Sequence, residues 1–179
     1  PAAQVLLNRG IGNVKEGKAF LYPELAQLHS PFSMRDMDRA VEIILAALRQ
    51  KKLIAVYGDY DVDGMTAAAL LFSLLQRLGG NMLVYLPSRL DEGYGLHCHA
   101  LDFLLGQGVS LLITVDCGIN NMEEVDYARK LGLEVIITDH HQPADSLPAA
   151  GAVLNPWRKD CSYPFPMLCG AGVAFKLGQ

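Results

Sequence analysis

Three apolar runs in this sequence end in residues that bind cations, and that pattern constrains the fold more than any other. Leu53-Ile54-Ala55-Val56-Tyr57 leads through Gly58 into Asp59-Tyr60-Asp61-Val62-Asp63-Gly64. Leu111-Leu112-Ile113-Thr114-Val115 stops at Asp116, and Val135-Ile136-Ile137-Thr138 stops at Asp139-His140-His141. Short apolar runs rich in β-branched residues read as buried strands. In a parallel α/β sheet, ligands bind in the crevice beyond the carboxyl ends of the strands, so these three ends mark the expected site. Carboxylate oxygens mixed with imidazole suit Mg²⁺ or Mn²⁺. The expected chemistry is metal-dependent hydrolysis of a phosphoester.

The segments between the runs complete the pattern. Ser33 followed by Asp36 reads as a capping box that opens a helix, with Met37, Val41, Ile44, Leu45 and Leu48 on one face. A helix over 64–78 follows the acidic loop; its Ala67-Ala68-Ala69 stretch suits close packing, and Gly79-Gly80 ends it. Strand 82–86 runs into the polar segment 87–95. A helix at 97–106, a helix at 122–131, strand 133–138 and a last strand Ala152-Val153-Leu154 follow. Strands alternating with helices predict an α/β fold, a parallel sheet of about five strands with helices on both faces. Residues 1–32 read as a loop-rich N-terminal extension and 33–179 as the α/β domain. The chain opens at Pro1 and stops at Gln179, within a helical pattern that begins near Gly172, which leads us to expect an excised fragment.

Composition narrows the partners. Apolar residues make up 51% of 179, enough for a sizeable core, and the net charge of −4 gives no global basic field. That balance does not exclude nucleic acid, because a cation-loaded carboxylate site inverts the local sign. Cys98, Cys117, Cys161 and Cys169 form neither a C-x-x-C pair nor a secretory framework, so reduced thiols and a cytoplasmic location are expected. No signal peptide or apolar run of membrane-spanning length is present, and no membrane partner is expected. His97-Cys98-His99 lacks the spaced second pair of a zinc site. Lys51-Lys52 and Arg158-Lys159 read as surface charge.

Other phosphate motifs fit less well. Asp61-Val62-Asp63-Gly64-Met65-Thr66 comes close to the D-x-D-G-T of haloacid dehalogenase-type phosphatases, but Asp139-His140-His141 stands where that family wants an acidic pair. A Walker A loop is absent, and Gly170-Ala171-Gly172 follows a loop rather than a strand. Asp59, Asp61 and Asp63 repel one another unless a cation is present, although a helix N-terminus accommodates one of them as a cap. Gly64 relieves the backbone where the turn comes close to a ligand. Adjacent histidines rarely serve one ion, so His140 and His141 are expected to divide metal binding and phosphate contact or acid catalysis.

Together these clusters resemble the DHH phosphoesterase superfamily, named for the motif that stands here as Asp139-His140-His141. The resembling stretches are Tyr57 to Gly64, Glu92-Gly93-Tyr94-Gly95-Leu96, Val115-Asp116-Cys117-Gly118-Ile119, Thr138 to His141 and Cys169-Gly170-Ala171-Gly172-Val173-Ala174-Phe175. The second and last are similar to the branch that degrades single-stranded DNA 5′→3′ in repair and recombination. The resemblance implies two metals, Mn²⁺ or Mg²⁺, with Asp61 and Asp63 as ligands of different ions and Asp116 as the catalytic carboxylate bridging both. It implies His140 as an imidazole ligand, His141 as the group on the scissile phosphate, Asp59 as a ligand or supporting group, and Asp139 as an orienting carboxylate. Arg89, Gly93 and Tyr94 would meet substrate, with Tyr94 stacking on a base. Pyrophosphatase relatives carry a histidine where this chain has Tyr57, and a further family aspartate is expected beyond Gln179. Single-stranded DNA and other repair proteins are the implied partners. Two alternatives remain: a phosphodiesterase for short oligonucleotides or cyclic dinucleotides, and a non-catalytic DHH scaffold that binds nucleic acid.

Overall fold

The computed structural model describes residues 1–179. Pro1–Ser30 and Pro31–Gln179 form separate compact units. The first holds two short helices, α1 (Ala2–Asn8) and α2 (Val14–Leu21), where the sequence reads as mostly loop. Asn13 caps α2 by accepting the Glu16 N–H at 2.9 Å, and Glu16 accepts the Gly12 N–H at 3.1 Å. Neither helix buries a residue, and each runs for only about two turns, too short for periodicity to announce it.

The second unit is an α/β sandwich. Its elements are α3 (Met37–Arg49), β1 (Leu53–Gly58), α4 (Val62–Arg77), β2 (Asn81–Tyr85), α5 (Cys98–Gly106), β3 (Val109–Val115), α6 (Met122–Lys130), β4 (Glu134–Thr138), β5 (Ala152–Leu154) and α7 (Gly170–Gly178). The five strands are all parallel, in the order β2-β1-β3-β4-β5. Successive side chains of a strand alternate between faces, and both faces are covered. Ile54, Val56, Leu111, Ile113 and Ile136 pack under α3, α4 and α7, whereas Ala55, Tyr57, Leu112, Val135 and Ile137 pack under α5 and α6. Two covered faces explain why these strands read as continuous apolar runs. No helix is long and apolar enough to cross a membrane.

The start of α3 differs from the capping-box expectation. Pro31–Ser33 is a 3₁₀ turn, and Asp36, in the left-handed region at φ 65°, is the residue that precedes the helix. Its side chain does not cap. Asp36 Oδ2 accepts from Arg158 Nη1 at 2.6 Å and from the Val153 N–H at 3.2 Å. Arg158 is itself buried rather than surface charge, and it also donates to Asp160 and to the Val153 carbonyl. A buried guanidinium requires carboxylate partners, and that demand outweighs capping.

α4 begins at Val62, two residues earlier than the spacing predicts, because Asp61 is its N-cap. Its small residues let it lie close to β1: a Cβ on Gly58 would sit 3.2 Å from that of Ala68. Ala68→Leu should therefore lower stability by about 1–3 kcal/mol, the usual penalty for overpacking a filled core. Urea denaturation at neutral pH measures it, with an unchanged midpoint as the contrary outcome.

Candidate metal centre

Parallel strands all deliver their carboxyl ends to one edge, and three of these ends carry the acidic and imidazole groups. After β1, the chain passes Asp59 and turns into α4. A Cβ on Gly64 would lie 2.6 Å from the Asp59 backbone nitrogen, so only glycine lets the first helical turn fold against this loop. Asp61 Oδ1 accepts the N–H groups of Asp63 and Gly64, both at 2.9 Å. Asp63 instead reaches α7: its Oδ2 accepts from Gly170 N and its Oδ1 from Ala171 N, each at 2.7 Å. A carboxylate at a helix N-terminus is stabilised by the free N–H groups and the helix dipole. Burial raises the proton affinity of Asp63, but the Ala171 and Gly170 amides and Cys169 outweigh it and hold the carboxyl below its ordinary value.

Asp116 follows β3, the middle strand, with a left-handed backbone at φ 62°. Asp tolerates that region better than most residues, and the twist lets its N–H reach the Thr138 carbonyl at 2.9 Å. A Cβ on Gly170 would collide with Asp116 Oδ1, so the start of α7 closes over this carboxylate only as glycine. Burial, then the charges of Asp63 and Asp61, push the Asp116 carboxyl up to about 8. Burial and Asp61 also raise Asp59.

The loop after β4 is organised by a completely buried carboxylate. Asp139 Oδ2 accepts the Ile119 N–H at 3.0 Å; Oδ1 accepts the His140 and His141 N–H groups at 2.7 and 3.1 Å and meets His141 Nδ1 at 2.7 Å. The bond from Asp139 raises the His141 imidazole above its ordinary value. His140 Nε2 lies 3.1 Å from Asp116 Oδ1 and 3.7 Å from Asp63 Oδ2.

Two groups of ligand atoms result. Asp116, His140 and His141 form one and Asp59, Asp61 and Asp116 the other, each within 4.8 Å of one another, and Asp116 belongs to both. Asp59 Oδ1 and Asp116 Oδ1 are buried and accept no hydrogen bond, the His140 ring nitrogen standing 3.1 Å from the latter without hydrogen-bond alignment. Buried unpaired carboxylate oxygens are costly, and here they sit among repelling charges. A divalent cation would supply the missing counter-charge, and the oxygen-rich set with imidazole fits Mn²⁺ or Mg²⁺.

The remaining residues singled out by sequence lie at or beside this edge. Tyr94 places its Oη 3.1 Å from His141 Nδ1 and 3.5 Å from the Asp116 carbonyl, with its ring half-exposed. Burial, followed by Asp139, strongly raises the Tyr94 phenol, keeping it neutral. Gly93, at φ 80° with open space around it, forms the turn before Tyr94. Arg89 is exposed, with its guanidinium 5.4 Å over the Tyr60 ring. Sequence reading missed Asn155, which is fully buried after β5 and donates from Nδ2 to the His141 carbonyl at 2.9 Å. Its position just past a strand end was the available signal. It also missed the two α7 amides, because backbone donors leave no trace in residue identity.

Comparison with known proteins identifies the family. The N-terminal domain of the DHH family matches residues 53–179. The chain belongs to the DHH family. Relatives include the single-stranded-DNA-specific exonuclease RecJ of Bacillus subtilis, 42% identical over 99% of this chain and 22% of the relative. The RecJ of Escherichia coli is 45% identical over 79% of this chain and 25% of its own length. This DHH chain thus spans only about a quarter of those curated relatives. A crystal structure of exonuclease RecJ bound to manganese superposes with a TM-score of 0.77 at 37% identity, over 84% of this chain and 38% of that one. RecJ of Thermus thermophilus in complex with Mn²⁺ gives 0.75 at 34% identity, over 97% and 23%.

A stability prediction follows for the metal-free protein. With its folded value raised, Asp116 leaves stability intact below about 3.8 and erodes it as pH rises toward about 8. Melting curves in chelator should therefore fall across that window in the parent and fall less in Asp116→Asn. Added Mn²⁺ should raise the melting temperature of the parent at pH 8 and leave that of the variant nearly unmoved. Equal metal stabilisation of both would remove Asp116 from the centre.

Proposed function

We propose that this chain is the catalytic DHH segment of a metal-dependent exonuclease that degrades single-stranded DNA from the 5′ end in repair and recombination. The observation that carries the reading is Asp116, buried with an unpaired oxygen and shared by two ligand groups at one sheet edge. Similarity to proteins named single-stranded-DNA-specific exonucleases supports the substrate class over short oligonucleotides or cyclic dinucleotides. A non-catalytic scaffold has no use for repelling carboxylates and unpaired buried oxygens.

In this reading Asp61, Asp63, Asp116 and His140 would hold Mn²⁺ or Mg²⁺, with Asp59 as a further ligand and Asp116 the residue that both ligand groups share. The bound ions supply Lewis acidity and water activation for in-line attack on phosphorus. The protein's own part is to place and neutralise. Asp139 fixes the imidazole of His141 through Nδ1, leaving Nε2 to donate to a nonbridging phosphate oxygen. Asp63 is bonded to both α7 amides and to Cys169, so its part is to tie the start of α7 to the edge while a remaining lone pair faces a cation. Gly93 gives Tyr94 room beside the DNA, and Arg89 meets backbone phosphate. Tyr94 offers a half-exposed ring for a base. Other repair proteins are the expected partners, in the cytoplasm.

Digestion of 5′- and 3′-labelled single strands by the full-length protein with Mn²⁺ tests the reading. Early release of the 5′ label is expected, and early release of the 3′ label would reverse the assigned polarity. Asp116→Ala should abolish turnover even at saturating Mn²⁺.

The adjacent histidines should separate. His140→Ala should weaken Mn²⁺ binding in calorimetric titration and regain part of its rate at high Mn²⁺. His141→Ala should bind Mn²⁺ nearly as the parent does yet lose about 10²–10³-fold in single-turnover rate, the scale for one transition-state donor. Equal loss of metal binding in both would refute the division.

A further inference from the structure

The segment that carries Arg89 and Tyr94 has no regular secondary structure between β2 and α5, yet Tyr94 meets His141 at hydrogen-bond distance. Something else must hold it. Tyr57 and Tyr85 are in register at the ends of β1 and β2, and their rings stack with centroids 5.2 Å apart and planes at 10°. This pair forms a shelf under the loop. Tyr57 Oη donates to the Gly95 carbonyl at 2.9 Å, immediately after Tyr94. Tyr85 Oη donates to Glu92 Oε1 at 2.6 Å, two residues before it. Glu92 Oε2 accepts the Ser88 N–H at 2.6 Å, closing the loop on itself, and His99 Nε2 from α5 meets Oε1 at 2.5 Å. The far end is tied by Asn121, whose side chain bonds both the N–H and the carbonyl of Leu96 at 3.3 Å.

Glu92 is thus the one side chain of the loop that joins β2, the loop backbone and α5. Its side chain is 15% exposed. Burial would raise its proton affinity, but Tyr85, Ser88 and His99 outweigh that and hold the carboxyl near about 2. It is ionised wherever the enzyme works. By contrast, Leu90 is 94% exposed, so the loop's tip makes almost no packing contact of its own. Tyr57 stands where pyrophosphatase relatives carry a histidine, and in this chain its hydroxyl serves the loop.

We propose that Glu92 is a positioning residue for the reaction: its carboxylate clamps the loop onto the tyrosine shelf and thereby sets Tyr94 against His141. Asp139 takes the Nδ1 proton of His141, and Tyr94 lies beside the same nitrogen at 3.1 Å with its ring edge-on to the imidazole at 5.5 Å, so the clamp fixes the wall against which the imidazole rests. This deepens the nuclease reading and rests on it. Glu92 touches neither the ligand groups nor the phosphate position, so its loss should leave metal binding alone and spoil alignment.

The test uses the full-length enzyme with Glu92→Ala and Glu92→Gln. Glu92→Ala should lower the single-turnover rate on single-stranded DNA with Mn²⁺ by up to the order of 10²-fold, the scale of a small misplacement near reacting atoms. Its calorimetric Mn²⁺ affinity should match the parent's. Glu92→Gln keeps one acceptor oxygen, for Tyr85 Oη and His99 Nε2 or for the Ser88 N–H, and should recover part of the rate. Independently of activity, trypsin should cut after Arg89 faster in Glu92→Ala than in the parent, with Glu92→Gln between them, as read by mass spectrometry. Parent rate and DNA affinity in Glu92→Ala would overturn the proposal, as would a rate loss without faster cleavage at Arg89. A rate loss explained entirely by less folded protein would also overturn it. If the parent itself fails to degrade single strands, the nuclease reading falls instead, and cleavage at Arg89 still decides whether Glu92 holds the loop.

Discussion

A carboxylate buried at the end of the middle strand, among other carboxylates, sets the terms for the rest of this structure. Asp116 is 2% exposed and has an oxygen without a hydrogen-bond partner. Isolated charges are expensive to bury, and neighbouring like charges make ionisation harder still. The protein manages the rest of the cluster with backbone donors. The first turn of α4 takes Asp61, the first turn of α7 takes Asp63, and amides of the loops after β3 and β4 take Asp139. Asp116 Oδ1 and Asp59 Oδ1 receive none, so these are the oxygens left for a cation.

That arrangement explains the small residues around the centre. Two helix N-termini must come within hydrogen-bond reach of carboxylates on neighbouring segments, and any side chain at Gly64 or Gly170 would collide with Asp59 or Asp116. Ala67 and Ala68 serve the same end from the core side, allowing α4 to lie low on the sheet. Packing of the helices and electrostatics of the edge are therefore one problem. A change that lifts α4 or α7 by a fraction of an ångström also removes the amides from the acids.

Much of this was legible in the sequence because burial on both faces forces each strand into an unbroken apolar run, and the polar residue that ends the run then marks the sheet edge. β1, β3 and β4, and the clusters after them, follow from that rule, and β5 with Asn155 obeys it too, although one amide side chain gives a weak signal. The N-terminal helices were not legible, since α1 and α2 bury nothing and are only seven and eight residues long. Asp36 and Arg158 were misread because their partnership joins residues far apart in the chain, and no local pattern records it. The Tyr57–Tyr85 shelf was hidden for the same reason: it depends on strand register. Family resemblance supplied expected roles for individual aspartates and histidines, whereas spacing alone showed only that they would share an edge.

The central claim is that the Asp116 edge is a cation site, and anomalous diffraction from a Mn²⁺-soaked crystal of the protein tests it most directly. The account predicts an anomalous peak about 2.0–2.3 Å from an Asp116 carboxylate oxygen and from His140 Nε2, the range for hard oxygen and imidazole ligands. A map at saturating Mn²⁺ with no peak within ligand distance of Asp116 would contradict it.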